Sequence, residues 1–206
     1  MNIDELTQAI IHRRSEVPAE RSMLVGISGI DASGKGFITA KIADSLKERC
    51  RTAVINVDGW LNLPHVRFDQ SKPAENFYEN ALRLDDMFDR LIEPLKADRG
   101  VEITVDFAEE TAAEFRRHRY EFESIDIILL EGIFIFKRQF VRHFDFKIWI
   151  DCSFATALSR AIERSQEGLS AEETVIAYDT IYFPAQRLHL RKDEPQGSAD
   201  IIFANS

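Results

Sequence analysis

Cysteine is scarce in this chain: among 206 residues there are two, Cys50 and Cys152, far apart and without metal-type spacing. They read as reduced thiols in the core or at the surface rather than as a disulfide or half of a thiolate metal site. Histidine offers no substitute, since His12, His65, His118, His143 and His189 form no close pair at ligand spacing. An excess of positive charge is also missing. With 26 Lys and Arg against 35 Asp and Glu, the net charge of −9 excludes a broad cationic footprint for nucleic acid. A small anionic ligand would therefore need local positive charge. No uninterrupted apolar run approaches the length of a membrane span, and the first residues carry Asp4 and Glu5 where a leader would carry apolar side chains. The expectation is a cytoplasmic protein with no membrane or nucleic-acid partner; a homo-oligomer is left open. Repeats and low-complexity segments are absent as well.

What is present is enough apolar sequence, 45%, to bury a full core, in a length that favours one domain with a small insertion. Apolar residues at helical spacing predict a helix over 3–14, ended by Pro18. Leu24 to Ile27 and Thr52 to Val57 read as strands, and the nearly continuous aliphatic runs Ile125 to Leu130 and Phe146 to Ile150 read as strands covered on both faces. Residues 60–78 lack clear periodicity and contain Pro64 and Pro73, which predicts a loop over the carboxyl ends of the strands. Leu82 to Ile92 mark a helix leading through Pro94 to Gly100. Val101 to Phe107 alternates as a half-exposed strand does, and Tyr120-Glu-Phe122 is a candidate partner, giving a small β insertion over about 101–123. Phe154 to Arg164 and Glu172 to Arg191 read as helices, and Ile201 to Phe203 as a last short strand. Strands alternating with helices imply an α/β fold with a mostly parallel sheet, whose ligands bind beyond the carboxyl ends of its strands.

The first strand empties into Gly29-Ile-Asp-Ala-Ser-Gly34-Lys35-Gly36-Phe37, and Phe37, Ile38, Ala40, Ile42, Ala43 and Leu46 then recur at helical spacing. Strand, glycine loop and helix in that order make a phosphate cradle. Successive backbone N–H groups point at the anion, glycines let it approach, and the helix N-terminus adds its dipole. Residues 29–37, Gly29, Ile30, Asp31, Ala32, Ser33, Gly34, Lys35, Gly36 and Phe37, are the expected nucleotide contacts, with Lys35 reaching the outer phosphates. One position departs from the pattern. The residue after the lysine ordinarily supplies a hydroxyl to Mg²⁺, and here it is Gly36, which leaves Ser33, Thr39 or a water to take that place.

Three polar groups converge on the mouth of such a sheet: Lys35 after the first strand, Asp58 after the second, and Glu131 after the buried 125–130 strand. Phosphoryl transfer needs charge neutralisation, a metal and a group that orients or deprotonates the acceptor hydroxyl. Glu131 suits the metal, and Asp58 suits the base with a share in the metal site; the competing readings are a turn residue at Asp58-Gly59 and a solvated strand end at Glu131-Gly132. Arg160 and Arg164 lie four apart on one helical face and are the expected clamp on the transferring phosphate, or else a solvated face with Glu163 as local partner. Residues 165–171, broken by Gly168, make a candidate lid. Trp60, His65, Arg67, Phe77, Tyr78 and Phe107 are the candidate acceptor contacts; a polar loop residue is the competing reading of His65.

On the loop from Gly29 to Gly36, the Asp58-Gly-Trp60 step and the Ile128-Leu-Leu-Glu-Gly-Ile133 strand end, the chain resembles the uridine kinase and phosphoribulokinase-like branch of P-loop kinases. Likeness extends over most of its length, through Phe146 to Asp151, Tyr178, Pro184 and Ser198 to Ile202. The resemblance implies a P-loop NTPase fold with a mostly parallel five-stranded sheet flanked by helices, a small β insertion and a short lid. It implies ATP and Mg²⁺ as cofactors, Lys35, Asp58, Arg160 and Arg164 as catalytic residues, Glu131 at the metal, and transfer to a hydroxyl of a small molecule. Three positions differ from uridine kinases: Gly36, Leu169 where the lid carries an arginine, and Tyr78 where an aspartate holds the ribose diol. An acceptor other than uridine, such as pantothenate or a sugar phosphate, and a nucleotide-binding module without catalysis are the alternatives. No Asn-Lys-x-Asp guanine-reading run occurs, and the strand ends in Glu131-Gly132 rather than the Asp-Glu of mechanical ATPases.

Overall fold

The computed structural model describes residues 1–164 and 168–205. Five strands form one parallel sheet: β1 (Met23–Gly29), β2 (Thr52–Asn56), β5 (Ile127–Glu131), β6 (Phe146–Asp151) and β7 (Ile201–Ala204), in the order β2-β5-β1-β6-β7. The hairpin strands β3 (Val101–Phe107) and β4 (Arg116–Phe122) pair antiparallel, with Val101 opposite Phe122 and Ile103 opposite Tyr120. The hairpin is thus longer than the expected 120–122 pairing, because Arg116 to Arg119 continue the alternation with charged rather than apolar exposed residues.

β1 and β5 are buried at every position, as a strand sandwiched between two helical layers must be. One face of the sheet meets α1 (Ile3–Glu16) and α2 (Lys35–Leu46) through Leu6, Ile10, Ile38, Ile42 and Leu46. The other, larger core gathers Trp60, Trp149 and most of the phenylalanines beneath the remaining helices and the hairpin. Each such fully buried aliphatic or aromatic side chain contributes on the order of 2 kcal/mol, which fixes the sheet as the platform for whatever sits at its edge. Helix α1 is closed by a capping box between Asn2 and Glu5.

Three expectations are corrected. The 60–78 segment is not a loop throughout: it holds α3 (Pro64–Arg67) and α4 (Pro73–Asn80), each opened by the proline that suggested a break. Phe37 does not join the apolar stripe of α2; it is exposed on the first turn, under Lys41. The helix predicted from Leu82 onward begins at Leu84 and runs as α5 (Leu84–Met87), a π-turn over Phe88–Ile92 and α6 (Glu93–Asp98). A second π-turn, Tyr178–Tyr182, joins α8 (Ala171–Ala177) to α9 (Phe183–Asp193). Each widened turn ends two residues before a proline, Pro94 or Pro184, whose ring and missing N–H an ordinary α-turn cannot accommodate. Helix α7 (Phe154–Arg164) follows β6, and α10 (Pro195–Ser198) precedes β7. The expected lid falls partly on residues 165–167, which lie outside the described residues; Gly168 takes a left-handed φ of 71°, and Ser170 caps α8 with Glu173. Cys50 and Cys152 are free thiols. Among the described residues no helix is long and apolar enough to cross a membrane.

Candidate active site

β1 is the switch point of the sheet, flanked by β5 on one side and β6 on the other, so a crevice opens beyond its carboxyl end. Register brings the polar ends of three strands level: Ile27 and Asn56 both stand opposite Glu131. The chain leaves β1 through a tight loop in which Ala32 (φ 53°) and Gly34 (φ 88°) are left-handed, then enters α2 at Lys35. At Gly34 a side chain would be strained and would strike the Asn205 amide, so glycine is required there. Arg160 and Asn205 brace this loop from behind. Arg160 Nη1 donates to the carbonyls of Ser33 (3.2 Å) and Asn205 (2.9 Å), and Asn205 Nδ2 donates to the Ser33 carbonyl at 2.7 Å.

The loop borders a cleft of about 250 Å³ lined by Asp31, Lys35, Gly36, Asn56, Asp58, Phe77, Glu110, Glu131, Arg164 and Tyr182 among others. A second cavity of about 340 Å³ adjoins it, sharing Ala32, Gly34 and Arg164 and adding Arg160 and Glu163. Asp31 is the hub of the rim. Its carboxylate accepts the Tyr178 hydroxyl (2.8 Å), the Ala32 N–H (2.8 Å) and Arg164 Nη2 (3.4 Å). Burial opposes its ionisation, but Lys35, Arg164 and these hydrogen bonds outweigh burial and hold the carboxyl below the usual range.

Asp58 stands on the single 3₁₀ turn after β2, its N–H capped by the Asn56 side chain at 2.7 Å. It reaches solvent through the cleft, yet the surrounding protein raises its pKa, aided by Asp31 and opposed by Lys35. Glu131 is 6% exposed and is pushed up to about 7 by burial, with Asp58 and Asp31 adding and Lys35 opposing. A Cβ at Gly36 would sit 3.6 Å from Glu131 Oε1, an ordinary contact, so the place of the missing hydroxyl faces this carboxylate. Of the two sequence candidates, Thr39 Oγ1 is committed to the Lys35 carbonyl at 2.8 Å, whereas Ser33 Oγ is buried with no hydrogen-bond partner among the described residues.

The structure therefore brings together Lys35, Asp58, Glu131, Arg164 and Phe77 from the expected set. Arg160 is turned to loop carbonyls, and the remaining acceptor candidates lie elsewhere. Trp60 is fully buried, stacked on Tyr120 at 6.2 Å, because its ring anchors the hairpin. His65 is exposed on α3. Arg67 is buried behind the cleft, pairing with Glu110 at 3.0 Å. Tyr78 points away, donating to Asp193 at 2.7 Å, and burial followed by that hydrogen bond lifts its pKa above the usual phenol range. Phe107 lines an adjoining cavity of about 300 Å³ on the hairpin side of Asp58. Sequence reasoning missed Glu110, Asn205 and Tyr182. Glu110 had no signal distinguishing it from Glu109 or Glu114 in the same turn.

The donor set fits a nucleotide and its metal. The left-handed turn at Gly34 shapes a loop that a phosphate would fit, and two cleft carboxylates, Asp58 and Glu131, would suffice for an ion taking its other ligands from phosphate and water. The model of the phosphoribulokinase / uridine kinase family matches residues 24–179. Uridine kinase of Macrococcus caseolyticus (strain JCSC5402) is 29% identical over 189 residues, covering 88% of this chain and 87% of that protein. Uridine kinase of Staphylococcus aureus (strain JH9) is 26% identical over 185 residues, covering 87% and 86%. Among solved structures, a possible uridine kinase from Bacillus stearothermophilus superposes with a TM-score of 0.78 over 98% of this chain and 96% of that one, at 20% identity. Matched along three quarters of its length and built on the sheet and loop described above, the chain belongs to the phosphoribulokinase / uridine kinase family of P-loop kinases.

Proposed function

We propose that this protein moves the γ-phosphoryl group of ATP to a hydroxyl of a small metabolite, in the manner of uridine kinase. The observation that carries the reading is the meeting of Lys35, Asp58 and Glu131 in one cleft beside a left-handed glycine loop. ATP is assigned to the loop with its base end in the adjoining cavity, and the acceptor to the side of Asp58. Asp58 accepts the hydroxyl proton as the acceptor oxygen bonds to phosphorus and the bond to the β-phosphate oxygen breaks. Lys35 and Arg164 neutralise the charge that develops on the transferring group. Glu131 and Asp58 would hold Mg²⁺, which would supply charge neutralisation to the phosphates. An acceptor other than uridine is favoured by Tyr78, which is turned to Asp193 and offers no carboxylate to a ribose diol. The empty position at Gly36 favours a second reading, a nucleotide-binding module without transfer.

Asp58→Asn decides between them. Turnover with a working acceptor should fall by about three orders of magnitude while ATP affinity stays within about threefold. Unchanged turnover would remove Asp58 as the base, and Mg²⁺-independent ATP binding with no product from any acceptor would favour the binding module.

A further inference from the structure

The hairpin turn lowers one carboxylate, Glu110, into the cleft opposite the strand ends. Its position is enforced from behind. Arg67 is fully buried; its Nη1 donates to Glu110 Oε1 at 3.0 Å and its Nη2 to the Glu110 backbone carbonyl. The guanidinium lies over the Phe68 ring at 5.0 Å, and Asn76 Nδ2 holds the Arg67 carbonyl at 2.8 Å. With two N–H groups of a fixed fork on two oxygens of one residue, the carboxylate cannot rotate freely. Among the described residues, Glu110 Oε2 accepts no hydrogen bond. With the side chain about a third exposed, that oxygen stays open to the cleft and is placed to receive a donor from a molecule bound there.

Charge along the cleft points the same way. The cations that line it are Lys35 and Arg164, both at the phosphate loop, whereas the charges acting on Glu110 are its partner Arg67 and the carboxylates of Asp31 and Asp58. The positive charge of Arg67 is engaged with Glu110 outside the lining. A carboxylate or phosphate on the acceptor would come to rest beside two like charges, with no cation to receive it.

Resting on the kinase reading above, we propose that Glu110, braced by Arg67, selects the acceptor: an uncharged or cationic molecule whose hydroxyl or N–H donors meet Glu110 Oε2, to the exclusion of acceptors bearing carboxylate or phosphate. Pantothenate and sugar phosphates are thereby disfavoured. Glu110 is a specificity residue, whereas Asp58 acts on the reacting oxygen.

The test uses matched pairs differing by one anionic group: uridine and orotidine, pantothenol and pantothenate, fructose and fructose 6-phosphate. Each is titrated calorimetrically onto the full chain saturated with Mg²⁺ and a non-hydrolysable ATP analogue, so the readout does not require turnover. At least one uncharged member should bind, roughly tenfold or more tighter than its anionic partner, and Glu110→Gln should weaken it about tenfold and narrow the preference. Glu110→Asp keeps the charge opposite Arg67 but withdraws the carboxylate, so it should lose affinity and keep the preference. Both variants should bind the ATP analogue as the parent does, which certifies their folding. Anionic members binding as tightly as their partners, an unchanged preference in Glu110→Gln, or no binding by any member would each overturn the proposal; the first would mean that Arg67 releases Glu110 to receive the anion. Binding with the expected preference but no ADP formed from ATP would instead overturn the kinase reading alone.

Discussion

A Cβ at Gly36 would face Glu131 Oε1 at 3.6 Å, and under the proposed function this is where a hydroxyl would join the carboxylate at Mg²⁺. Because a Cβ fits that space, Gly36→Ser should be tolerated and should supply the ligand. The Mg²⁺ concentration giving half-maximal activity is expected to fall about tenfold, and an unaltered Mg²⁺ titration would show that the hydroxyl is not what the site lacks. Glu131 itself is costly to keep charged. Its folded pKa of about 7 lies above the ordinary 4.5, so between those values the native state holds a proton that the unfolded chain has released. Stability therefore falls as pH rises through that window, by up to about 3 kcal/mol above it. Glu131→Gln should remove the loss: in urea titrations without metal it should match the parent near pH 4 and exceed it near pH 8, while transfer activity is largely abolished. Equal pH profiles for the two proteins would refute the shifted pKa. Such single residues were unevenly legible. Asp58 and Glu131 could be read because each comes at the end of an apolar run, where strand position directs the side chain to the mouth, and Lys35 because it closes the spaced-glycine loop. Glu110 could not, since its neighbours in the turn are equally acidic and only the buried Arg67, distant in sequence, singles it out.

At the level of elements, α7 and the exit of β7 act together on the loop between β1 and α2. Arg160 and Asn205 meet the same Ser33 carbonyl, so the loop keeps its shape through contacts to its backbone from two other elements. Arg160→Met should accordingly raise the KM for ATP roughly tenfold with a smaller change in kcat, because a loosened loop weakens ground-state and transition-state binding alike. A collapse of kcat at constant KM would return Arg160 to the transferring phosphate. The spacing of Arg160 and Arg164 put both on one helical face as a clamp on the transferring phosphate; the two side chains meet Ser33 and Asp31 of the loop, and helical periodicity carries no information on which oxygen a guanidinium will meet. Proline misled at the same scale. Pro64 and Pro73 open helices instead of breaking a segment, and Pro94 and Pro184 are absorbed by π-turns, an adjustment that costs little locally and leaves no mark on the apolar pattern. One of those widened turns begins at Tyr178, whose hydroxyl braces Asp31 at the cleft rim.

For the molecule as a whole, the parallel sheet and its flanking helices were legible because β-branched runs alternate with amphipathic ones. The spatial order of the strands was not, since it is decided by which helices cover which face. The two faces are covered very differently. The layer beneath α1 and α2 holds Phe146 and Phe203 as its only buried aromatic side chains among the described residues, whereas both tryptophans lie in the opposite core. The protein's ultraviolet emission thus originates on one side of the sheet, from indoles shielded from water. Trp60, stacked on Tyr120 of the hairpin that carries Glu110, is an intrinsic optical probe of the hairpin side of the cleft, and the α1–α2 side contributes no indole emission.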